Sequence, residues 1–434
     1  MARTPYLHVR RAAVLLALVA SSRAATYNVL DYGAVGDGVT SDTQAVRGAL
    51  AAAAAANGGT VLLPAPYVFL SGCVNLTSNV ELRVEGTLLA SPVSAGGNYV
   101  LVPPLPWYGG GQDAEMSGAP EWQSVVRAYG ATNVSLSGGG VIDGNGGAAG
   151  GWWACFHAAP PLGPQPCAGF SRPQLLRLVH TRGVRVEGLT FRNSPSWTIH
   201  LANVSGAVLR NLTVLAPYTE GNTDGVDIDA SDDVLVEGMY YAGGDDAIAV
   251  KSGINFLGRE FARPTRDVLI TRLVVESGNG IAVGSEQSAG VENVTFDGVL
   301  VSTARLGHPI KHGPYIKSER GRGGTASGVT FRNMRVEGAG FAIGLTLNYA
   351  RNLPPTNATA TPRYTDISFE NFSSAGCSSS FSFDGLNDSV ITNVRLENVT
   401  TDDHAVGATC DFTTGSCDTL TNHCPPCFAR VGRA

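Results

Sequence analysis

Two adjacent aspartates, Asp245 and Asp246, stand in the stretch GGDDAIAVKSG, directly before a short apolar run. Neighbouring like charges raise each other's proton affinity, which a fold either tolerates at a solvated turn or uses at a site. An acid that gives up a proton, beside a carboxylate that activates water, can hydrolyse a glycosidic bond. Two further Asp-Asp pairs, at 232–233 and 402–403, make the pair alone a weak indication.

A third carboxylate strengthens the indication. Asp224, in GNTDGVDIDAS, precedes the pair by 21 and 22 residues, about one turn of the repeat described below. The next turns carry SGNGIAVGSE and GPYIKSERGRGG. Because successive turns of stacked strands lie about 4.8 Å apart, the spacing predicts one column of side chains on one face. Its members are Asn222, Asp224, Asp245, Asp246, Asn279 and Lys317.

Residues 305–322 are rich in positive charge, although the chain as a whole has a net charge of −6. Such a segment is either a solvated basic loop or, beside a carboxylate cluster, a subsite for an anionic substrate with Lys317 nearest the chemistry. Its basic residues are Arg305, His308, Lys311, His312, Lys317, Arg320 and Arg322.

The elements that must position these residues are short strands that recur along the chain. Phrases such as TRGVRVEGLTF, SDDVLVEGMYY and VENVTFDGVLV alternate β-branched residues and are separated by Gly, Asn or Asp turns. This pattern predicts an all-β, parallel β-helix solenoid, because a β-propeller would need a longer and more regular period. Taking eight positions as equivalent gives steps of 24, 26, 34, 26, 35, 38 and 23 residues: Val184, Val208, Val234, Val268, Val294, Val329, Ile367 and Val390.

The N-terminus has the layout of a secretory signal peptide, predicted to span residues 1–24. A basic segment leads into the apolar run 12–20 and then into Ser22-Arg23-Ala24, a plausible cleavage site. An uncleaved membrane anchor is the alternative, but the run is far shorter than the ~20 residues of a bilayer span. Loss of four arginines would leave a net charge near −10, which argues against nucleic acid as a partner.

A helix is predicted to follow. Ser41-Asp42-Thr43-Gln44 has the pattern of a capping box ahead of AVRGALAAAAAA, and Asn57-Gly58-Gly59 ends the segment. Such a helix would cover the exposed first coil of a solenoid. We therefore predict one β-helix domain over 25–434, with the cap and first coils in 25–90 and a cysteine-rich segment in 400–434.

Eight cysteines in an exported chain indicate disulfides. Cys155 and Cys167 could close one loop, and four more cysteines crowd the C-terminus around CPPC. A zinc site that uses CPPC with His404 or His423 is the alternative. Nine Asn-x-Ser/Thr sequons permit glycosylation in a eukaryotic host; they begin at Asn75, Asn133, Asn203, Asn211, Asn293, Asn357, Asn371, Asn387 and Asn398.

Two resemblances sharpen these expectations. YNVLDYGAVGDGVTSDTQAVRGAL and GGTVLLPAPYVFLSG resemble the first segment of pectin-lyase-like right-handed β-helices. NTD at 222–224, GGDD at 243–246, KSG at 251–253, GxG at 278–280 and IKS at 316–318 are similar, in order and spacing, to the motifs of the polygalacturonase family, in its plant-type branch. The resemblance covers nearly the whole chain after residue 24.

The polygalacturonase resemblance implies an inverting, metal-independent and cofactor-free hydrolase of pectic galacturonan. It assigns Asp245 as the general acid, Asp224 and Asp246 as the residues that hold and activate water, and Lys317 as the ligand of the uronate carboxylate. Tyr349, in GLTLNYA, matches a tyrosine of the family's subsites. The expected partner is a pectic polysaccharide outside the cell or in its wall, bound by a monomer that contacts neither nucleic acid nor a membrane.

Two positions depart from the family pattern. Asn279 stands where the family usually has the histidine of G-H-G, and Tyr315 where it has the arginine of R-I-K. These changes leave the pectic substrate open between galacturonan and rhamnogalacturonan or another exo-cleaved polymer. A calcium-dependent lyase on the same fold and a polysaccharide-binding β-helix without activity are the remaining alternatives.

Other polar and aromatic residues carry weaker expectations. Asp227 and Asp229 alternate with apolar residues and are predicted at outward strand positions rather than in catalysis. The tryptophans have two interpretations, stacking on sugar rings or packing within loops: Trp152, Trp153 and Trp197. Three histidines receive no role: His157, His180 and His200.

Overall fold

A computed structural model of the chain describes residues 25–92, 98–108, 120–157, 171–349, 360–402 and 409–432. The predicted signal peptide lies outside these residues. Within them, the strands form two long sheets whose neighbours are all paired in parallel. The all-β parallel β-helix predicted from the repeat is therefore confirmed, and one short antiparallel pair, β8 (Leu101–Val102) with β9 (Glu121–Trp122), lies outside the coils.

The first sheet has 19 strands. They are β1 (Thr26–Asn28), β2 (Asp37–Ser41), β3 (Gly59–Leu63), β4 (Val68–Ser71), β6 (Val80–Val84), β7 (Thr87–Ala90), β11 (Thr132–Ser137), β12 (Val141–Asp143), β14 (Arg182–Glu187), β15 (Thr190–Arg192), β17 (Ser205–Leu215), β19 (Asp232–Ala242), β21 (Thr265–Val275), β23 (Val291–Ser302), β26 (Thr325–Glu337), β28 (Arg363–Ala375), β30 (Ile391–Thr400), β32 (Thr413–Cys417) and β33 (Phe428–Arg430).

The second sheet has 12 strands and carries the residues that could do chemistry. They are β5 (Val74–Leu76), β10 (Val126–Tyr129), β13 (Leu176–Val179), β16 (Ile199–Ala202), β18 (Val226–Asp229), β20 (Asp246–Lys251), β22 (Gly280–Gly284), β24 (Ile310–His312), β25 (Pro314–Lys317), β27 (Ala339–Thr346), β29 (Ser379–Asp384) and β31 (Thr409–Asp411).

The interior between the two sheets is filled by side chains that stack in register from coil to coil. Phe296, Phe331 and Phe369 pair on successive strands, and their rings stack with centroids 5.0 and 5.1 Å apart. Each of these side chains is at most 1% exposed. Continuous burial of this kind fixes the register, because a slip by one residue would turn the apolar side chains outward.

Two of the eight positions predicted to be equivalent are wrong. Val184 pairs with Ala207 rather than Val208, so the predicted position is one residue too late in the chain. Ile367 pairs with Val394, whereas Val390 is 39% exposed. In both cases another valine lies close to the true interior position, and in the first case that position is an alanine, a weak marker of a core position.

Helix α1 (Thr43–Ala55) packs against the first coil, as predicted for a cap, with Val46, Ala49, Leu50 and Ala53 buried. The predicted capping box of Ser41 and Gln44 is wrong. Asp42 is the N-cap residue and makes no side-chain bond to the helix. Its carboxylate instead accepts hydrogen bonds from backbone N–H groups of the preceding loop. The other helices are α2 (Trp152–His157), α3 (Asn255–Phe261) and a 3-10 turn, Val29–Tyr32.

The C-terminal cysteines form two disulfides, Cys410–Cys427 and Cys417–Cys424. The disulfide interpretation is confirmed for these four residues. The zinc alternative is wrong, because both cysteines of CPPC are bonded in disulfides and cannot act as thiolate ligands. Cys167 and His404 lie outside the described residues.

Several sequon asparagines have a structural use. The Asn371 amide donates to Asn333, and the Asn398 amide donates to Asn371, so that these side chains form a ladder between coils. This explains why asparagine recurs in the repeat. Glycosylation stays a prediction, and Asn357 lies outside the described residues. No helix in the described part of the chain is long and apolar enough to cross a membrane.

Candidate active site

The register of the second sheet brings the predicted column together. Val226 pairs with Ile248, and Asp224 and Asp246 each stand two residues earlier, on neighbouring coils at one level. The following coil pairs Gly280 with Asp246. Lys317 pairs with Gly284, further along its strand, so its long side chain has to reach back toward the aspartates.

A tight turn presents Asp245 and Asp246. The hydroxyl of Tyr241, buried beneath the turn, lies 3.0 Å from the backbone N of Asp245, whose N–H it accepts. A Cβ on Gly244 would lie 2.1 Å from the carbonyl O of Glu220, so only glycine fits this close approach. The turn frees Asp245 from strand geometry, which lets both adjacent carboxylates face the cleft.

The three carboxylates form one cluster. Asp224, Asp245 and Asp246 each offer an oxygen, and these oxygens all lie within 4.8 Å of one another. Asp224 and Asp246 are each 3% exposed, while Asp245 is partly exposed. Burial, followed by the charges of Asp245 and Asp227, raises the pKa of Asp224 well above its ordinary value. The cluster therefore keeps a proton at a pH where isolated aspartates are ionised.

Lys317 and His312 approach Asp246 from later coils. Lys317 Nζ donates to Asp246 Oδ2 at 2.7 Å. Burial alone would lower the pKa of this ammonium, but the charge of Asp246 outweighs it and raises the pKa. His312 Nε2 lies 3.6 Å from Asp246 Oδ1, an oxygen with no hydrogen-bond partner among the described residues. Burial, followed by the charge of Lys317, lowers the pKa of His312 to about 3, so the ring is neutral.

Asn222 and Asn279 both hold Asp245. The backbone N–H of Asn222 donates to Asp245 Oδ2 at 2.9 Å. The side-chain amide of Asn279 donates to Asp245 Oδ1 at 2.5 Å, and its backbone N–H donates to the Asp245 carbonyl. Two neighbouring coils thereby fix the orientation of the Asp245 carboxyl group.

Tyr315 and Tyr349 form an aromatic wall beside Lys317. Their ring centroids lie 6.2 Å apart, and Lys317 Nζ lies 5.1 Å from the centre of the Tyr349 ring. His312 packs against Tyr315 with centroids 4.8 Å apart. Tyr315 therefore does not supply the charge of an arginine. It contributes an aromatic ring to the surroundings of the Lys317 ammonium.

A buried charged layer lies behind the column and was missed from the sequence. Asp227 is wholly buried, and Lys251 Nζ lies 2.9 Å from its Oδ1 and 3.5 Å from Glu286. Burial raises the pKa of Asp227 to about 7, although Lys251 opposes that shift. The same ammonium lies 3.5 Å from the centre of the Trp197 ring.

Asp229 is also buried, so the two strand positions predicted to face outward are both covered. It accepts hydrogen bonds from Trp107 Nε1 at 2.7 Å and from the backbone N–H of Gly253 at 2.8 Å. Its oxygen lies 3.4 Å from His200 Nε2. The alternation did point these residues away from the coil interior, but both are fully buried, Asp229 against Trp107 and Asp227 against Lys251.

The other aromatic and histidine residues divide between packing and the cleft. Trp152 and Trp153 are buried, and Trp153 donates to the Ser194 carbonyl, so packing within loops is the correct interpretation. Trp197 lines the cleft. His157 pairs with Glu220 at the surface, and His180 lies beside Asn203.

An open cleft of about 760 Å³ contains the column. From the basic segment 305–322, the cleft is lined by Lys311, Lys317 and Arg322. Arg305 pairs with Glu276, and Arg320 pairs with Asp388, away from the aspartates. Arg172, on an earlier coil, lines the opposite side and was also missed from the sequence.

The carboxylate cluster could hold a metal ion, because oxygen ligands of this kind suit Mg²⁺ or Ca²⁺. One oxygen of Asp246 is already bound by the Lys317 ammonium. Our expectation of a site that works without metal or cofactor stays a prediction.

Comparisons with known proteins identify a family. The model of the glycosyl hydrolases family 28 matches residues 56–423. A probable polygalacturonase of Vitis vinifera is 30% identical over 388 residues, which are 88% of this chain and 75% of that protein. A polygalacturonase of Chamaecyparis obtusa is 28% identical over 340 residues, 76% of this chain and 58% of that protein.

Solved structures show the same fold. An exopolygalacturonase of Thermotoga maritima superimposes with a TM-score of 0.79 at 22% identity, covering 94% of this chain and 91% of that one. A polygalacturonase of Erwinia carotovora superimposes with a TM-score of 0.70 at 22% identity, covering 90% and 96%.

Proposed function

This chain belongs to the glycosyl hydrolases of family 28, and from that membership we propose that it is a secreted, inverting hydrolase of α-linked galacturonan in pectic polysaccharide. One observation carries the proposal: carboxylates from two neighbouring coils, one with a raised pKa, meet the buried ammonium of Lys317 at the centre of an open cleft.

Asp245 is the proposed general acid. It is the member of the cluster that is partly exposed to the cleft, so its proton can reach the oxygen of the bond to be cleaved. Asn222 and Asn279 hold its two oxygens in place. The raised pKa of Asp224 keeps a proton within the same carboxylate cluster, whose oxygens lie within 4.8 Å of one another.

Asp224 and Asp246 are the proposed holders of the attacking water. Oδ1 of each is buried and has no hydrogen-bond partner among the described residues. A water molecule has two O–H groups to donate, and two such acceptors would orient its lone pair toward the sugar. His312 Nε2, near Asp246 Oδ1, is an alternative acceptor for one of these two hydrogens.

Lys317 and Tyr349 are the proposed contacts for a uronate, with Tyr315 as part of the same wall. The Vitis vinifera relative is named a probable polygalacturonase, which supports a pectic polymer as the partner. Export through the peptide at 1–24, removal of that peptide, a single β-helix domain over 25–434 and a monomeric state complete the proposal.

The test compares Asp245→Asn with wild type on polygalacturonate, rhamnogalacturonan and xylogalacturonan. Loss of the acid should lower kcat on the substrate that is turned over by about a hundredfold to ten-thousandfold. Asp233→Asn is the matched control, because Asp233 belongs to another Asp-Asp pair, is exposed and does not line the cleft. Equal activity of Asp245→Asn and wild type would reject the proposed role, and products with an unsaturated uronide end would identify a lyase instead.

Inversion has its own test. The cluster oxygens lie within 4.8 Å, so it is the family resemblance rather than the spacing that supports inversion. Proton NMR of the first products should show the β-anomer from the α-linked polymer, and an α-anomer appearing first would overturn this part.

A further inference from the structure

We infer that Arg172 binds a second uronate carboxylate of the substrate, in a subsite on the side of the aspartates opposite to Lys317. This inference rests on the proposed function, because it names a further contact with the same polyanionic substrate. It is carried by the position of Arg172, by its burial, and by the finding that no carboxylate of the described residues forms an ion pair with its guanidinium.

Arg172 lies on an earlier coil than the aspartates. Backbone hydrogen bonds join Leu175 to Trp197, Thr198 to Asp224, and Gly225 to Asp246, so the coil of Arg172 precedes that of Asp224 by two turns. The strand of Lys317 follows that of Asp246 by two turns. With about 4.8 Å per turn, the backbone positions of the two cations lie roughly 10 Å from the cluster, on opposite sides of it.

The other buried cations of the cleft are all neutralised by a carboxylate. Their ion pairs are Arg177 with Glu121, Lys251 with Asp227 and Glu286, Lys317 with Asp246, and Arg322 with Glu319. Lys311 lacks such a pair in the described residues but is exposed, so water can solvate its charge. Arg172 is 8% exposed, and no carboxylate oxygen of the described residues lies within ion-pair distance of its guanidinium.

Neutral groups hold the guanidinium in place instead. It donates to the carbonyl of Pro195 at 2.8 Å, to that of Gly221 at 3.5 Å, and to Asn222 Oδ1 at 2.9 Å. Its centre lies 3.7 Å from the centre of the Phe156 ring. These contacts take three of the five N–H groups of an arginine, which leaves two for a ligand.

A buried cation without a partner is costly unless an anion arrives to balance it. The cleft that Arg172 lines is the one in which a polyuronate would lie, and each sugar of such a polymer carries one carboxylate. The nearby carboxylates do not form an ion pair with it: Glu220 first, and then Asp224 and Asp245, act on Arg172 by their charges from beyond ion-pair distance, and Glu220 is paired with His157. Arg172 thereby supplies a guanidinium contact, while Tyr315 stands where the family motif has an arginine.

The experiment measures KM and kcat of Arg172→Gln and Arg172→Lys on polygalacturonate and on the same polymer after methyl esterification. Losing one charge-assisted contact should raise KM of Arg172→Gln on polygalacturonate by about tenfold, with kcat changed far less. The increase should shrink on the methyl ester, whose uronates are neutral, and Arg172→Lys should restore part of the loss. Arg185→Gln is the control, since Arg185 is an exposed arginine of the first sheet.

The outcomes separate the possible failures. An unchanged KM, or an equal increase on charged and esterified polymer, would overturn the inference and leave Arg172 as a support for Asn222. If wild type cleaves no galacturonan, the proposed function fails; calorimetric binding of tri-galacturonate to wild type and Arg172→Gln then still decides the subsite, because equal affinities would overturn it. The thermal midpoint of each variant checks that the fold persists.

Discussion

Asn279 donates a hydrogen bond from its amide nitrogen to Oδ1 of Asp245, at 2.5 Å, from the coil that follows the aspartate pair. This is the position at which the polygalacturonase resemblance leads one to expect a histidine. An amide cannot gain or lose a proton at ordinary pH, so Asn279 can orient the proposed acid but cannot share its titration. The site therefore keeps a hydrogen bond that orients Asp245, but it has no group at this position that can exchange a proton with Asp245.

Replacing Asn279 with leucine should lower kcat by about tenfold to a hundredfold with little change in KM, because a hydrogen bond to an acidic group contributes about 1.5–3 kcal/mol. Asn279→Gln, which keeps an amide on a longer side chain, should retain more activity than the leucine variant. Steady-state kinetics on polygalacturonate measure both. A leucine variant with wild-type kcat would show that Asn279 does not position the acid.

The pair of Lys317 and Asp246 makes a prediction about stability. Lys317→Met keeps the length of the side chain but leaves Asp246 buried without its cation, so the free energy of unfolding should fall by about 3–5 kcal/mol. The double variant Lys317→Met with Asp246→Asn removes both charges and should recover most of that loss while remaining inactive. Urea denaturation measures each step. Equal stability of Lys317→Met and wild type would contradict the pairing.

Asp224 makes a prediction about pH. Its pKa is raised in the folded chain above the ordinary 3.8, so the folded state holds this proton to a higher pH than the unfolded chain does. The stability that comes from this group is complete below the ordinary pKa and is lost as pH rises through the raised one. Asp224→Asn should therefore gain stability over wild type as pH rises from about 4 to 8.

The measurement for Asp224 is the thermal midpoint of the variant and of wild type across that pH range. Asp233→Asn is again the control, because Asp233 is exposed and its replacement should give a difference that does not vary with pH. A constant difference between Asp224→Asn and wild type would show that Asp224 is ionised throughout. A gain in stability from removing a site residue would fit a site that is built for activity rather than stability.

The repeat and the column were predictable because each depends on periodicity. Glycine, asparagine and aspartate mark the turns, β-branched residues mark the strands, and the distance from Asp224 to Asp245 equals about one coil. Register was less predictable: Ala207 occupies an interior position, and its small side chain does not distinguish it from its neighbour Val208.

The buried charged layer and the contributions from distant coils could not be predicted in the same way. Asp227 alternates with apolar residues as an outward-facing residue does, but the structure buries it completely beside the ammonium of Lys251. Arg172 and His312 lie 52 and 88 residues from Asp224 in the chain, and their side chains reach the cleft across coils whose insertions obscure the period. Whether a long side chain approaches the site from another coil depends on how the coils pack, and a local sequence pattern does not show this.

His312 makes the last prediction, through the hydrogen that it carries. Its Nδ1 lies 2.9 Å from the Gly313 carbonyl, which can only accept, so Nδ1 bears the hydrogen. With the pKa lowered to about 3 by burial, the neutral ring presents the lone pair of Nε2 toward Asp246 Oδ1, at 3.6 Å. Neither of these two acceptors can donate to the other, so the attacking water, approaching from the side, can donate a hydrogen to Nε2 in place of one of the aspartates.

His312→Phe should keep the ring packing against Tyr315 and Phe341 and remove the acceptor. If His312 orients the water, kcat should fall by about tenfold to a hundredfold while KM stays close to wild type, because the substrate itself loses no contact. His312→Gln restores an acceptor and should recover part of kcat. Phe331→Leu, within the interior stack, is the control for repacking alone: it should lower the thermal midpoint and leave kcat unchanged. A phenylalanine variant with full kcat would remove His312 from the mechanism and leave Asp224 and Asp246 alone to hold the water.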